Sequence, residues 1–344
     1  MTYLVIAEGP QALSYERALR RALGPDRAVQ CLAPAGADAA LQRGDWDAVV
    51  LGAAGEQTAT LAGLALAQGL PLLIADPIPF RAQELAAIQR TARAQAGMVT
   101  VGWVGPISPG VAALGLELAQ WAGAVPPTSV LVEQQLAPIA DRAFLVAVLE
   151  GVTTLAHLAG NWPARVAAVS NGTIGGGAST VMATFLSGGV TTAGLNVAVG
   201  AGAPSRRLRI VTETATLVLQ EGPGGGVLSV EGEEEPLADA AGSEDRLWRP
   251  LATRRFPIAA PSPVLAVMER FLRRIREGGG DDLATLIYGL TLTERLLESA
   301  HKDGRSLSVT YRARVKESPR FQLLRGGRSS APAPHSRPSL TIVR

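Results

Sequence analysis

Residues 46–77 read WDAVVLGAAGEQTATLAGLALAQGLPLLIADP, and their pattern decides the fold. Asp47-Ala48-Val49-Val50-Leu51 is a short apolar run of the kind that forms a buried strand. From Thr58 to Gln68 the apolar residues Leu61, Leu64, Ala65 and Leu66 fall at helical spacing, and Gly69 ends the helix. Pro71-Leu72-Leu73-Ile74 is the next strand, and Ala75-Asp76-Pro77 closes the unit. Two strands joined through a helix in this way lie parallel, because a tight hairpin cannot make that connection.

The same rhythm extends to both sides. Leu4 to Ala7 is a strand, Ala12 to Leu23 a helix ended by Gly24-Pro25, and Ala28 to Leu32 a second strand. Asp38 to Gln42 is a short helix; Arg81 to Gln95 is a longer one, followed by the strand Met98 to Val101. Alternating strands and helices predict a Rossmann-like, doubly wound parallel sheet over residues 1–123.

Near Pro126-Pro127 the rhythm changes. Ser129–Gln134 is strand-like and Ala143–Leu158 is a long apolar helix. Short strands follow at 165–170, 180–186, 191–199, 207–211, 215–219 and 227–230, separated by Gly-rich turns. Two helices, Pro263 to Glu277 and Asp282 to His301, complete the pattern. Residues 124–309 are expected to form an α+β unit with an open-faced, mostly antiparallel sheet covered by helices on one face. Thr180, Ala183, Phe185, Thr191, Ala193, Leu195 and Val197 alternate along two of its strands. They predict an uncovered apolar face through which the chain assembles into homo- or hetero-oligomers.

The chain has 344 residues, 47% hydrophobic and 18% charged, enough to bury two cores. Residues 310–344 hold eight Lys/Arg and one Asp/Glu, so the basic character belongs to a tail rich in Arg, Ser and Pro, expected to be disordered. That tail lacks the interleaved aromatics that base stacking needs, so nucleic acid is not an expected partner. The one cysteine, Cys31, excludes a disulfide framework and reads as a buried structural thiol. The three histidines are dispersed, and no metal site is expected. No basic, apolar leader opens the sequence and no run is long enough to span a bilayer. A cytoplasmic protein with no membrane partner is therefore expected.

The order and spacing of these segments, from about residue 3 to 309, resemble the Gfo/Idh/MocA family. The resemblance is carried by the 46–77 unit and by ARVAAVS (164–170), TFLSGGVTTAGLNV (184–197) and RLRIVTETATLVLQ (207–220). It is carried equally by FLRRIREGGGDD (271–282) and TLTERLLESAHKDGRSLSV (291–309), with Ser299-Ala300 and Gly304-Arg305 in their familial places. It implies an NAD(P)-dependent sugar or cyclitol dehydrogenase with a cleft between two domains.

The residues that do the chemistry depart from that implication. A dinucleotide fold holds pyrophosphate at a Gly-rich strand–helix turn, where glycines allow close backbone approach and helix amides face the phosphate. That frame falls on Ala7-Glu8-Gly9-Pro10-Gln11-Ala12 and keeps only Gly9. Glu8 brings a negative charge and Pro10 removes an amide. Ala7, Gly9 and Ala12, with main-chain contacts at Gly52 and Ala53, are the candidate cofactor residues. The acid that usually ends the second strand and binds ribose is missing from Cys31-Leu32-Ala33-Pro34. The resemblance places the family's Glu-Lys-Pro lysine at Asp76, its catalytic His at Glu150 and its Asp at Thr153. Asp76 and Glu150 are the candidate catalytic residues, since paired carboxylates in a cleft can do acid–base work.

The expectation is a repurposed or accessory pseudo-oxidoreductase, with a small-molecule ligand in the interdomain cleft and with NAD(P) absent or weakly bound. The alternatives are a divergent NAD(P)-dependent oxidoreductase and a ligand-sensing regulator.

Overall fold

A computed structural model of the chain describes residues 2–311 apart from 25–26, 53–56, 77–79, 103–107, 123–126, 138–140, 172–179, 187–191, 201, 224, 233–248, 257–262 and 281. The predicted basic tail from residue 312 onward lies outside the described residues.

Five parallel strands form the first sheet: β1 (Thr2–Ile6), β2 (Ala28–Leu32), β3 (Ala48–Leu51), β4 (Leu72–Ile74) and β5 (Val99–Val101), in the order β2-β1-β3-β4-β5. The order reverses between β1 and β3, which in open α/β sheets is where ligands bind. Strands apolar on both faces demand cover on both, and alternate residues feed two cores. Leu4, Ile6, Val49, Leu51, Leu72 and Ile74 pack under α3 (Thr58–Ala67) and α4 (Ala82–Ala94). Tyr3, Val5, Ala48, Val50 and Leu73 pack under α1 (Gly9–Leu23). The connection from β2 to β3 carries only the short α2 (Ala37–Gln42).

After α5 (Pro109–Ala122), nine strands build the second sheet. They are β6 (Ser129–Leu136), β7 (Arg165–Ser170), β8 (Thr180–Leu186), β9 (Thr192–Val199), β10 (Ser205–Val211), β11 (Ala215–Gly222), β12 (Gly225–Gly232), β13 (Arg249–Phe256) and the two-residue β14 (Leu307–Ser308). The order is β13-β12-β11-β10-β6-β9-β8-β7-β14. Every pairing is antiparallel except β6 with β9. This is the open-faced, mostly antiparallel sheet expected from sequence. Glu231 is paired within β12.

The helices α5 and α6 (Asp141–Ala159) cover one face of this sheet. The covered face corrects part of the sequence reading. Ala183, Phe185, Ala193, Leu195 and Val197 are buried in the core with Val148, Val152 and Leu155 of α6. The uncovered face carries the other alternation: Val169, Met182 and Leu186 are 51%, 53% and 47% exposed. Of the other residues expected on that face, Thr180 is half-buried and Thr191 lies outside the described residues.

The chain then returns to the first sheet. The sequence reading put α7 (Pro263–Glu277) in the 124–309 unit, yet its Leu265, Val267, Met268, Phe271 and Leu272 join the core of β1 and α1. The N-terminal half of α8 (Leu283–His301) places Leu283, Leu286, Ile287 and Leu290 in the α3–α4 core; its C-terminal half places Leu292 and Leu296 in the second-sheet core. Asp282 fixes this return: its two oxygens accept from Arg270 Nη2 and Arg274 Nη1 at 2.6 Å each, and its amide donates to Val99 O at 3.0 Å. Where α6 crosses α8 there is room only for Gly289; a Cβ there would lie 2.6 Å from Thr153 Cγ2.

Candidate functional site

The carboxyl ends of the parallel strands and α6 enclose a cavity of about 200 Å³. Its lining comes from three places: Gln11 and Tyr15 on α1; Ala75, Asp76 and Gly102 just beyond β4 and β5; and Val146, Leu149 and Glu150 on α6. The structure therefore brings together the two candidate catalytic residues, Asp76 and Glu150. Asp76 is only 7% exposed, while Glu150 is half-buried.

Local backbone geometry places Asp76. Ala75 N donates to Leu51 O at 2.8 Å and Gly102 N donates to Ile74 O at 2.7 Å, so the ladder continues one residue past each strand. A Cβ on Gly102 would sit 2.7 Å from Ala75 Cα, so only glycine lets these two strand ends close together. Glu150 is placed by α6, whose Gly151 turns toward Leu195 and whose Leu149 enters the first-sheet core.

The candidate cofactor residues sit at the switch point. Ala7 is buried, its amide donating to Leu32 O at 3.1 Å, and Gly52 N donates to Ile6 O at 2.8 Å. Gly9 has φ +61°, the left-handed conformation that a tight strand–helix turn needs. Ala12 is half-buried one turn into α1, and Ala53 lies outside the described residues. None of the four described ones, Ala7, Gly9, Ala12 and Gly52, is among the lining residues of the cavity.

The turn does not fit a dinucleotide well. Glu8 caps α1 with an exposed side chain that makes no capping hydrogen bond, and Pro10 in the first turn leaves one amide fewer for a phosphate. The end of β2 leads into Ala33-Pro34, with no carboxylate for a ribose. The crevice beside Gly52 is tight: a Cβ there would be 2.7 Å from Ala7 Cβ and 2.9 Å from Tyr15 Cε2. Tyr15 thus stands both at the switch point and in the cavity wall.

Sequence reasoning missed Tyr15 and Gln11. Gln11 stands inside the phosphate-turn frame, which was read for its glycines and for Glu8 and Pro10; Tyr15 lies one turn further along α1, on a helix read only for its apolar face, and that position is the signal that would have found it. Thr153, at the place the resemblance gives to an Asp, is 1% exposed and donates to Leu149 O at 2.9 Å and Glu150 O at 3.0 Å, so its hydroxyl is spent within α6. His157 does not line the cavity, and burial pulls its pKa below the ordinary value. Among the described residues no group of three or more His, Cys, Asp or Glu is placed to hold a metal. No described helix is long and apolar enough to cross a membrane.

A larger depression of about 470 Å³ lies on the uncovered face of the second sheet. Its wall is mainly apolar, from Leu131, Val169 and Met182, with Glu133 and Asn196 at one side. It lacks convergent acid–base groups.

No protein-family model and no curated protein matches the sequence. Solved structures do. UDP-N-acetylglucosamine 3-dehydrogenase GnnA from Acidithiobacillus ferrooxidans superimposes with a TM-score of 0.70 at 18% identity, over 88% of this chain and 98% of that one. Levoglucosan dehydrogenase, in complex with NADH, gives 0.67 at 14% identity over 90% and 99%. Aldose-aldose oxidoreductase from Caulobacter crescentus gives 0.65 at 12% identity over 90% and 99%. With a switch-point crevice, an open-faced second sheet and a chain that returns to its first core, this protein has the Gfo/Idh/MocA-type oxidoreductase fold.

Proposed function

We propose that this chain is a divergent Gfo/Idh/MocA-type protein, repurposed or accessory, that binds a small molecule in the cleft without the family's usual hydride transfer. Asp76 carries this reading. The resemblance assigns its position to a lysine, and here a buried carboxylate lines the cavity instead. The charge beside the expected nicotinamide is reversed, and the proton carriers expected on α6 are replaced by Glu150 and a Thr153 bonded to its own helix. A missing charge-assisted contact costs about 2 kcal/mol, and several are missing together. Neighbours named for sugar substrates support a polar, ring-sized ligand.

The test is native mass spectrometry of the purified protein, with calorimetric titration of NAD(H) and NADP(H). The expected result is no copurifying dinucleotide and no saturable binding in the micromolar range. Copurifying NAD(H) or NADP(H) would sink this reading. It would install a divergent NAD(P)-dependent oxidoreductase, which the dinucleotide-bound neighbours and the positive φ of Gly9 support.

The uncovered face of the second sheet is proposed as the assembly surface, for a second copy or an active homologue. Exposed Val169, Met182 and Leu186 support it. Light scattering of the wild type and of Met182→Asp tests the homomeric form: a dimer is expected to become a monomer, and a monomeric wild type at micromolar concentration would refute it.

A further inference from the structure

We propose that the uncovered face of the second sheet packs on the same face of a second copy of this chain, about a twofold axis running along the strands between β6 and β10, so that Glu133 of each copy meets Arg207 of the other. The inference rests on the assembly surface proposed above. It adds which occupant that surface takes, where the axis lies and which groups pair.

The register of the strands carries it first. One lateral row crosses the sheet through directly opposed residues: Met182 on β8, Asn196 on β9, Glu133 on β6, Arg207 on β10, Gln220 on β11 and Val227 on β12. Each has a residue of the covered core as its strand neighbour, so the row lies on the uncovered face. Read from β8 to β12 it is apolar, amide, acid, base, amide, apolar, a chemical palindrome centred between β6 and β10. A half-turn about an axis along the strands at that centre reverses the lateral order and keeps the height along each strand. It lays β6 over the partner's β10, β9 over its β11 and β8 over its β12. Acid then meets base, amide meets amide, and Met182, 53% exposed, faces the position of Val227, 37% exposed. A twofold interface needs this self-complementarity, because every contact in it is made twice.

The second observation is that the groups at the centre of the row are unsatisfied in the single chain. Glu133 and Arg207 stand opposite each other in the register, yet among the described residues neither side chain makes an ion pair or a hydrogen bond. Asn196 Oδ1 is shielded from solvent and has no hydrogen-bond partner. A shielded acceptor without a donor is costly. Glu133 and Asn196 form the polar side of the depression of about 470 Å³, whose remaining wall is mainly apolar. A guanidinium suits that place: its planar fork of donors serves a carboxylate and an amide oxygen together. Packed sheets lie about 10 Å apart, a gap that an arginine and a glutamate bridge between them. Arg207, exposed on the adjoining strand, supplies the guanidinium from a second copy. Any other partner would have to bring base, amide and apolar group in this order, whereas a second copy brings them by symmetry.

The test is sedimentation equilibrium of the full-length wild type, of Glu133→Arg, of Arg207→Glu, of the two variants mixed, and of the chain carrying both substitutions. Circular dichroism and melting temperature first match each variant to the wild type. The wild type is expected to be a dimer at micromolar concentration. Each single substitution sets like charges against each other at both copies of the contact, and is expected to weaken the dimer at least about tenfold. Mixing the two is expected to restore a dimer that native mass spectrometry identifies as one copy of each. In that heterodimer the two introduced charges meet at one contact and the two retained ones at the other. The doubly substituted chain, with its pair reversed, is expected to dimerise like the wild type. A monomeric wild type removes the assembly reading and this inference with it. A dimeric wild type overturns this inference alone if neither single substitution weakens it, or if the weakened variants recover neither on mixing nor in the double substitution.

Discussion

Asp76, just past β4, and Glu150, midway along α6, line one cavity although they belong to different units of the chain. The family resemblance alone pointed to these two positions. Their meeting depends on Leu149 of α6 entering the first-sheet core and on Gly102 letting the ends of β4 and β5 close.

Asp76→Lys restores the residue the resemblance expects, and it is expected to produce no dehydrogenase activity. The new ammonium would face Glu150, but Pro10, Glu8 and the acid-free end of β2 would remain as they are. NADH fluorescence with levoglucosan and with UDP-N-acetylglucosamine is the measurement; turnover above the wild type would count against the degenerate-site reading.

Gly102→Ala and Gly63→Ala are expected to differ in sign. The first drives a Cβ to 2.7 Å from Ala75 Cα, a backbone atom with nowhere to go, and should cost about 1–3 kcal/mol. The second, inside α3, meets nothing within 4 Å and should be stabilising by about 0.5–1 kcal/mol through helix propensity. Urea unfolding of the pair reads both. Gly289→Ala should behave like the first, since its Cβ would meet Thr153 Cγ2 at 2.6 Å.

Asp282→Asn is expected to destabilise by roughly 2–4 kcal/mol. It leaves Arg270 and Arg274, which are 18% and 20% exposed, without the carboxylate that pairs with both. Burial already lowers the Arg270 pKa against the opposing pull of Asp282, so the loss of that acid is felt directly. Chemical denaturation at low and high salt checks it; a loss below 0.5 kcal/mol would reduce the cluster to a surface ion pair.

His157 predicts a pH dependence. Burial holds its folded pKa below the ordinary 6.5, so between the two values the unfolded chain binds a proton that the native state does not. Its contribution to stability is complete above 6.5 and falls as pH drops through that window. Urea midpoints from about pH 7.5 to about pH 5.5 should decline less steeply for His157→Gln than for the wild type.

Cys31 should be slow to alkylate. Burial first, and then its hydrogen bond to Glu16 Oε2 at 3.4 Å, push the thiol up to about 12. At mildly alkaline pH almost none is thiolate. Iodoacetamide labelling should be far faster in denaturant, and faster in Glu16→Gln than in the wild type.

Periodicity along the chain was enough to read Ala48–Leu51, Thr58–Ala67 and Leu72–Ile74 as strand, helix and strand, because strands buried on both faces are apolar throughout and the breakers Gly69 and Pro71 stand between them. It did not reveal α5, whose Pro109-Gly110 start looks like a turn, or β13, a Pro- and Arg-containing edge strand that exists only through its pairing with β12. The sequence also determined that Ala183 and Met182 face opposite ways, since side chains alternate along a strand. Only the docking of α6 decided that Ala183 is covered and Met182 exposed. Likewise, the apolar stripe of α7 announces a buried face, while the choice of the first sheet over the second depends on contacts between residues far apart in the chain. The chemistry of the site divides in the same way. The charges of Asp76 and Glu150 are written in the sequence, but the cavity they share and the place of Tyr15 in its wall are products of packing.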